Sequence, residues 1–221
     1  MRQAQEDRAT VPIYYESRQI PIAIDDPDDV ARVEEVLEAE EEAAAAKLVT
    51  AWAKLEKVVG APDRLKALAD DVAEHFSARS EALAGKALVV AYSRRIAAAV
   101  TDLLRERLGT ETVDCVISAQ ATDPPEVSRF RRSKAELKEL AKRFRDPDDR
   151  LRIVVVKDMW LTGFDAPALH TLYIDKPMRD HGLLQAIARV NRVFRDKPGG
   201  LAVDYIGSGE DLRASLQAYD E

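Results

Sequence analysis

LRIVVVKDMWLTGFDAPALHTLYIDKPMRDHGLLQAIARVNRVFR, residues 151–195, is the stretch whose reading decides the fold. Two short apolar runs, 153–156 and 172–174, enclose the polar turn Thr162-Gly163-Phe164-Asp165. Apolar runs of this length suit strands buried on both faces. From about His181 the pattern becomes helical. At about 100° per residue, Gln185, Arg189 and Arg192 share one face within roughly 60°. Leu183, Ile187 and Val190 fall on the opposite side, suited to packing on a sheet. Such a helix is built to meet something anionic.

Outward from this stretch, strands and helices alternate. Residues 10–17 read as a short strand, and Pro12 favours a sheet edge. Asp25-Asp26-Pro27-Asp28-Asp29 reads as a helix start, its acids near the positive end of the dipole. A calcium loop would need a Gly and a terminal Glu at set spacing, and neither is present. Val30, Val33, Leu37, Ala44, Leu48, Trp52 and Leu55 continue at helical spacing through Val59. Gly60-Ala61-Pro62 ends that helix and begins another, with Leu65, Leu68, Val72 and Phe76 as its buried stripe.

Residues 87–92 then form a buried strand, and Ser93 caps a helix carrying Ile96, Val100, Leu103 and Leu104. Residues 112–117 form a further strand, and Asp123-Pro124-Pro125-Glu126 must be a loop. Ser133-Lys134-Ala135-Glu136 is a capping-box pattern ahead of Leu137, Leu140, Ala141 and Phe144. A last strand, 201–203, follows Gly199-Gly200. The alternation implies an α/β fold, a RecA-like or Rossmann-like parallel sheet covered by helices. The chain divides into a mostly helical lead-in, 1–60, and an α/β domain, 61–221.

With 221 residues, 46% hydrophobic and 33% charged, the chain is long enough for a full core. No apolar run approaches the roughly 20 residues of a membrane span, and the first ten residues lack a signal-peptide core, so a cytoplasmic address is expected. The single Cys115 excludes an internal disulfide, and three scattered histidines show no metal-ligand pattern. The net charge of −7 argues against a binder held by global positive charge. Local charge differs. Residues 129–145 carry Arg131, Arg132, Lys134, Lys138, Lys142, Arg143 and Arg145, which suit either a solvated helix face or contact with a nucleic-acid backbone. Trp52 and Trp160 have the rings to stack on bases, but their apolar neighbours favour packing.

In parallel α/β sheets, ligands gather at the carboxyl ends of the strands, and both the Thr162–Asp165 turn and the start of the Gln/Arg helix follow strand ends. Gly163 permits a close backbone approach, Asp165 can accept from a ribose hydroxyl, and Arg189 and Arg192 can meet phosphate oxygens bidentately. Thr-Gly-x-Asp followed by Gln-x-x-x-Arg-x-x-Arg resembles motifs V and VI of superfamily 2 helicases. The surrounding words are more specific. Residues 9–18 (ATVPIYYESR), 123–126 (DPPE), 157–167 (KDMWLTGFDAP) and 185–200 resemble the restriction (R, HsdR) subunit of type I restriction-modification enzymes.

The resemblance implies the second RecA-like lobe of a P-loop NTPase-like DNA translocase, acting on double-stranded DNA. It implies ATP at Gly163, Asp165, Arg189 and Arg192, with the two arginines as fingers and Gln185 linking nucleotide to lobe position. Residues 87–95 would then be motif IV, with Ser93, Arg94, Thr122 and Thr162 toward the DNA backbone and Arg131 and Arg132 as further candidates. Ala188 stands where many relatives of the wider superfamily have Gly. No Gly-x-x-x-x-Gly-Lys-Ser/Thr, no acidic magnesium motif and no nuclease motif occurs in these residues. The phosphate loop and Mg²⁺ would therefore belong to a first lobe, and this chain alone is not expected to hydrolyse ATP. A nuclease domain and the modification and specificity subunits would be further partners. The rival expectation is a non-catalytic module that binds DNA or protein. A dinucleotide-binding enzyme would need a Gly-x-Gly-x-x-Gly fingerprint, and none opens the sheet.

Overall fold

In the computed structural model, which describes residues 10–20, 55–178 and 180–206, one six-stranded sheet runs through the molecule. In chain order the strands are β1 (Ile13–Ser17), β2 (Lys86–Ala91), β3 (Val113–Val116), β4 (Ile153–Val156), β5 (Leu169–Asp175) and β6 (Gly200–Asp204). The helices are α1 (Pro62–Ala82), α2 (Arg94–Leu108), the short α3 (Pro125–Ser128), α4 (Lys134–Arg145) and α5 (Asp180–Ile187). The spatial order is β1-β6-β5-β2-β4-β3, and every pairing is parallel. The expected α/β class is the observed one.

Parallel strands covered on both faces are apolar throughout, and the two-residue period divides their side chains between two cores. Ala87, Val89, Cys115, Val155, Tyr173 and Val203 face one core, with the stripes of α1 and α2. Leu88, Val90, Val154, Val156, Leu172 and Ala202 face the other, with Leu140 and Phe144 of α4 and Leu183 and Ile187 of α5. Ser93 caps α2 by accepting from the Ile96 N–H at 3.2 Å, and both halves of the Ser133/Glu136 capping box are formed at α4.

The packing joins residues on both sides of residue 60. β1 lies at a sheet edge, as Pro12 implies, but it pairs along its whole length with β6 of the expected second unit. Leu55 and Val59, at the end of the lead-in helix, are buried in the α1/α2 core. The acidic cluster at 25–29, Trp52 and most of the helix expected from the sequence up to Val59 lie outside the described residues.

Buried charge ties these layers together. Arg64 of α1 donates to both oxygens of Asp175, at 2.6 and 3.2 Å, and to the Val59 carbonyl at 3.1 Å. Burial pushes the Asp175 carboxyl up, against the pull of Arg64. Nearer the surface, Arg18 beyond β1 makes a bidentate pair with Asp71 of α1, and Tyr205 donates to the same carboxylate.

Candidate active site

The connection from β4 to β5 is a loop, and its path sets the site. It leaves the carboxyl edge of the sheet, where Asp158 pairs at 2.7 Å with Lys176, just past the end of β5. It must reach the amino end of β5 at Leu169, so it crosses one face of the sheet. Trp160 and Gly163 take left-handed backbone angles, with φ of 69° and 68°. Glycine has no steric penalty there. Trp160 is held by its ring, stacked on Phe164 at 4.2 Å between centroids and 5° between planes, with Phe144 of α4 beyond. Of the two readings given for Trp160, the structure shows packing. Phe164 is anchored in the core, which leaves Asp165 exposed beside it.

The helix expected to carry all three polar residues ends early. α5 stops at Ile187, so Gln185 is helical but Arg189 and Arg192 are not, which corrects the single-face expectation. A tighter turn replaces the helix, with Arg189 N–H donating to Ala186 and Val190 N–H to Ile187. The chain then extends. Val11 N–H donates to the Asn191 carbonyl at 2.7 Å, and Thr10 and Arg192 form an antiparallel bridge. Backbone groups taken up by the segment ahead of β1 are not available to continue a helix. Leu183, Ile187 and Val190 are nonetheless buried, as the periodicity required.

The two polar segments still meet. The Arg189 Nη1 donates to the Phe164 carbonyl at 2.6 Å and its Nε to the Gln185 carbonyl at 3.1 Å. Arg192 Nε lies 3.4 Å from Asp165 Oδ1, with both side chains about half exposed. Arg145, at the end of α4, donates to the Asp165 carbonyl at 3.0 Å and lies 4.7 Å from the Phe164 ring centre. Gly163, Asp165, Gln185, Arg189 and Arg192 thus form one constellation. It sits toward the amino ends of β5 and β6, because the Val190 backbone passes close to Gly200 and Arg145 closes α4 ahead of β4. The expectation of a single ligand edge at the carboxyl ends is corrected by this placement.

The carboxyl edge carries the other candidates. β4 lies between β2 and β3, so the loops after three adjacent strands open together, bearing Ser93, Thr122 and the start of the β4–β5 loop. Thr162 lies farther along that loop, between Trp160 and Phe164, whose rings stack beside Phe144 near the end of α4. Arg94 joins the β2 and β3 loops by a bidentate pair with Asp123, at 2.6 and 3.1 Å, and donates to the Ser118 carbonyl. The Gln120 N–H, and then Arg94, hold the Asp123 carboxyl below its ordinary range. Thr122 and Thr162 are exposed, as is Arg131. Arg132 is turned inward: its guanidinium binds Asp114 at 2.6 Å and the Cys115 carbonyl. Cys115 itself is buried in β3, and burial pushes its thiol up to about 12. Among the described residues no His, Cys, Asp and Glu gather in a set that could hold a metal ion, and no helix is long and apolar enough to cross a membrane.

A family model for type I restriction enzyme subunit R domain 3 matches residues 111–206, which contain the β4–β5 loop and both arginines. The type I restriction enzyme HindI endonuclease subunit of Haemophilus influenzae is 41% identical over 232 residues, covering 99% of this chain and 21% of that subunit. The subunit described for type I restriction enzyme MjaIXP of Methanocaldococcus jannaschii is 42% identical over 219 residues, covering 98% and 21%. The chain belongs to the type I restriction R-subunit family. It spans about a fifth of the length of these relatives. A fragment structure described as an HsdR subunit of a type I restriction enzyme from Vibrio vulnificus YJ016 superposes with a TM-score of 0.57 at 17% identity, over 95% of this chain and 35% of that one, and shares its fold.

Two contributors escaped the sequence reading of this R-subunit domain. Arg145 stood in the basic stretch with no sign that it would reach Asp165. Lys197 fell within the family words at 185–200 but was given no role, yet it is buried against the arginine turn. A lysine beside Gly199-Gly200 reads as surface loop, and only the fold shows what surrounds it.

Proposed function

We propose that this domain is the second RecA-like motor lobe of an ATP-dependent DNA translocase within a type I restriction R subunit. Arg189 and Arg192 serve as arginine fingers on a nucleotide held chiefly by another lobe. The observation that carries this reading is the union of the two polar segments: Arg192 beside Asp165, and Arg189 on the Phe164 carbonyl. Two guanidiniums and a carboxylate on one partly exposed surface match the needs of a polyphosphate and a ribose hydroxyl.

ATP, when bound, supplies a γ-phosphoryl group whose transfer to water releases free energy. Arg189 and Arg192 stabilise the negative charge that develops on that group. Asp165 accepts from a ribose hydroxyl, and Gly163 lets the backbone come close. Gln185, whose carbonyl holds Arg189, links the finger to α5 and so to the position of the lobe. The phosphate loop and the magnesium carboxylates come from a first lobe, since these residues contain neither. At the carboxyl edge, Ser93, Arg94, Thr122 and Arg131 face the phosphates of double-stranded DNA, and Thr162 meets them from the exposed loop that leaves that edge. Contacts of that kind carry no sequence information, which suits movement over any sequence. Arg132 supports this edge through Asp114 instead of touching DNA. The nuclease domain and the modification and specificity subunits complete the assembly.

The test is DNA-stimulated ATP hydrolysis by the full-length R subunit carrying Arg189→Ala or Arg192→Ala. Arginine fingers contribute about 10³- to 10⁵-fold, so a loss of at least about 10³-fold is expected with DNA binding retained. Wild-type rates in both variants would remove the finger assignment.

A further inference from the structure

Lys197 lies in the loop between the arginine turn and β6, and its side chain enters the protein interior. Its ammonium donates to the Leu169 carbonyl at 3.0 Å, the Val190 carbonyl at 3.0 Å and the Pro167 carbonyl at 3.4 Å. An ammonium has three N–H donors, and here each has a backbone acceptor. Two of those acceptors close the β4–β5 loop, two and four residues beyond Asp165. The third lies between Arg189 and Arg192. Among the described residues no carboxylate takes part.

We propose that Lys197 is a positioning residue, which fixes the segment bearing Asp165 against the turn bearing Arg189 and Arg192. The inference rests on the assignment of these arginines as fingers. Burying an ammonium is costly, and a packed apolar side chain would fill the same space without that cost. What the apolar side chain lacks is the ability to draw three carbonyls from two segments to one point. The Val190 carbonyl is constrained from a second side. A Cβ on Gly200 would meet it at 2.4 Å, so the first residue of β6 passes this close only because it is glycine. The arginine turn is thus held between the start of β6 and Lys197, and a small displacement there would carry both guanidiniums away from the phosphoryl group.

The experiment uses the full-length R subunit with Lys197→Met, which keeps the length and apolar volume and removes the donors. Hydrogen exchange of the nucleotide-free subunit should quicken in 164–169 and 188–193 and stay unchanged in α2. In DNA-stimulated ATPase, kcat should fall by about 10- to 100-fold while KM for ATP stays within a few-fold. Added to Arg189→Ala/Arg192→Ala, the substitution should cost almost nothing more, because its effect runs through the arginines. Lys197→Arg, which keeps the charge in a planar fork, gives a second variant should Lys197→Met fold poorly. It too should quicken exchange in both segments, since the fork cannot converge on three carbonyls. Unchanged exchange, a rise spread evenly over the domain, or a full further loss of kcat in the arginine-free background would overturn the proposal. Normal ATPase in the arginine variants themselves would instead remove the finger reading. The exchange data would still report whether Lys197 joins the two segments.

Discussion

Among single residues, the Arg64–Asp175 pair shows how one contact acts across the molecule. Its members lie 111 residues apart, both are almost fully buried, and the arginine also holds the carbonyl of Val59. Truncating one partner leaves the other buried without compensation, which costs about 3–5 kcal/mol. Arg64→Ala should therefore lower unfolding free energy by that amount, with the midpoint in urea as the measurement. A loss under about 1 kcal/mol would show that water or relaxation replaces the guanidinium, as at exposed pairs. Arg150–Glu111 is such an exposed pair, and it should contribute little despite its 2.6 Å separation.

Among elements, α4 and α5 differ in what sets their limits. The start of α4 is local: the Ser133 hydroxyl accepts from the Glu136 N–H, and the Glu136 carboxylate accepts from the Ser133 N–H. Ser133→Ala should cost about 1 kcal/mol, readable as a shift in the thermal midpoint, with the Asp165–Arg192 pair unaffected. The end of α5 is not local. Nothing in Ala188-Arg189-Val190-Asn191 stops a helix, and the residues that do so, Thr10 and Val11, arrive from the opposite end of the chain.

Across the whole molecule, the buried lysines set the response to alkaline pH. Lys86 binds the carbonyls of Arg143, Asp149 and Leu151 much as Lys197 binds its own three. Desolvation lowers both ammonium groups from 10.5 to about 8. Between those values the unfolded chain holds protons that the folded chain has released, so stability rises with pH. Above about 9 the rise is partly offset, because the unfolded chain ionises Cys115 while the buried thiol stays protonated to about 12. Buried Tyr173 and Tyr205, also raised, act with Cys115 from about pH 10, and there the sign reverses. Unfolding free energy should therefore be greater at pH 9 than at pH 7, by about 1–2 kcal/mol. Replacing either lysine with Met should reduce that rise. A flat or falling curve over this interval would mean that the lysines do not carry these shifts.

The sequence by itself determined the α/β class, the strand positions, the capping of α2 and α4, and the identity of the polar segments. Each of these is written in near neighbours: apolar period, turn residues and motif words. The buried stripe of Leu183, Ile187 and Val190 belongs here too, since its spacing required burial even where the helix gave out. Tertiary structure alone decided that β1 completes the sheet and that α5 ends before its arginines. It also decided that Arg132 faces inward, and that Asp165, Arg145, Arg192 and Lys197 converge near the amino ends of β5 and β6. Those outcomes depend on backbone groups competing for partners far away in the chain, and on charges whose burial is defined only once the sheet has closed around them.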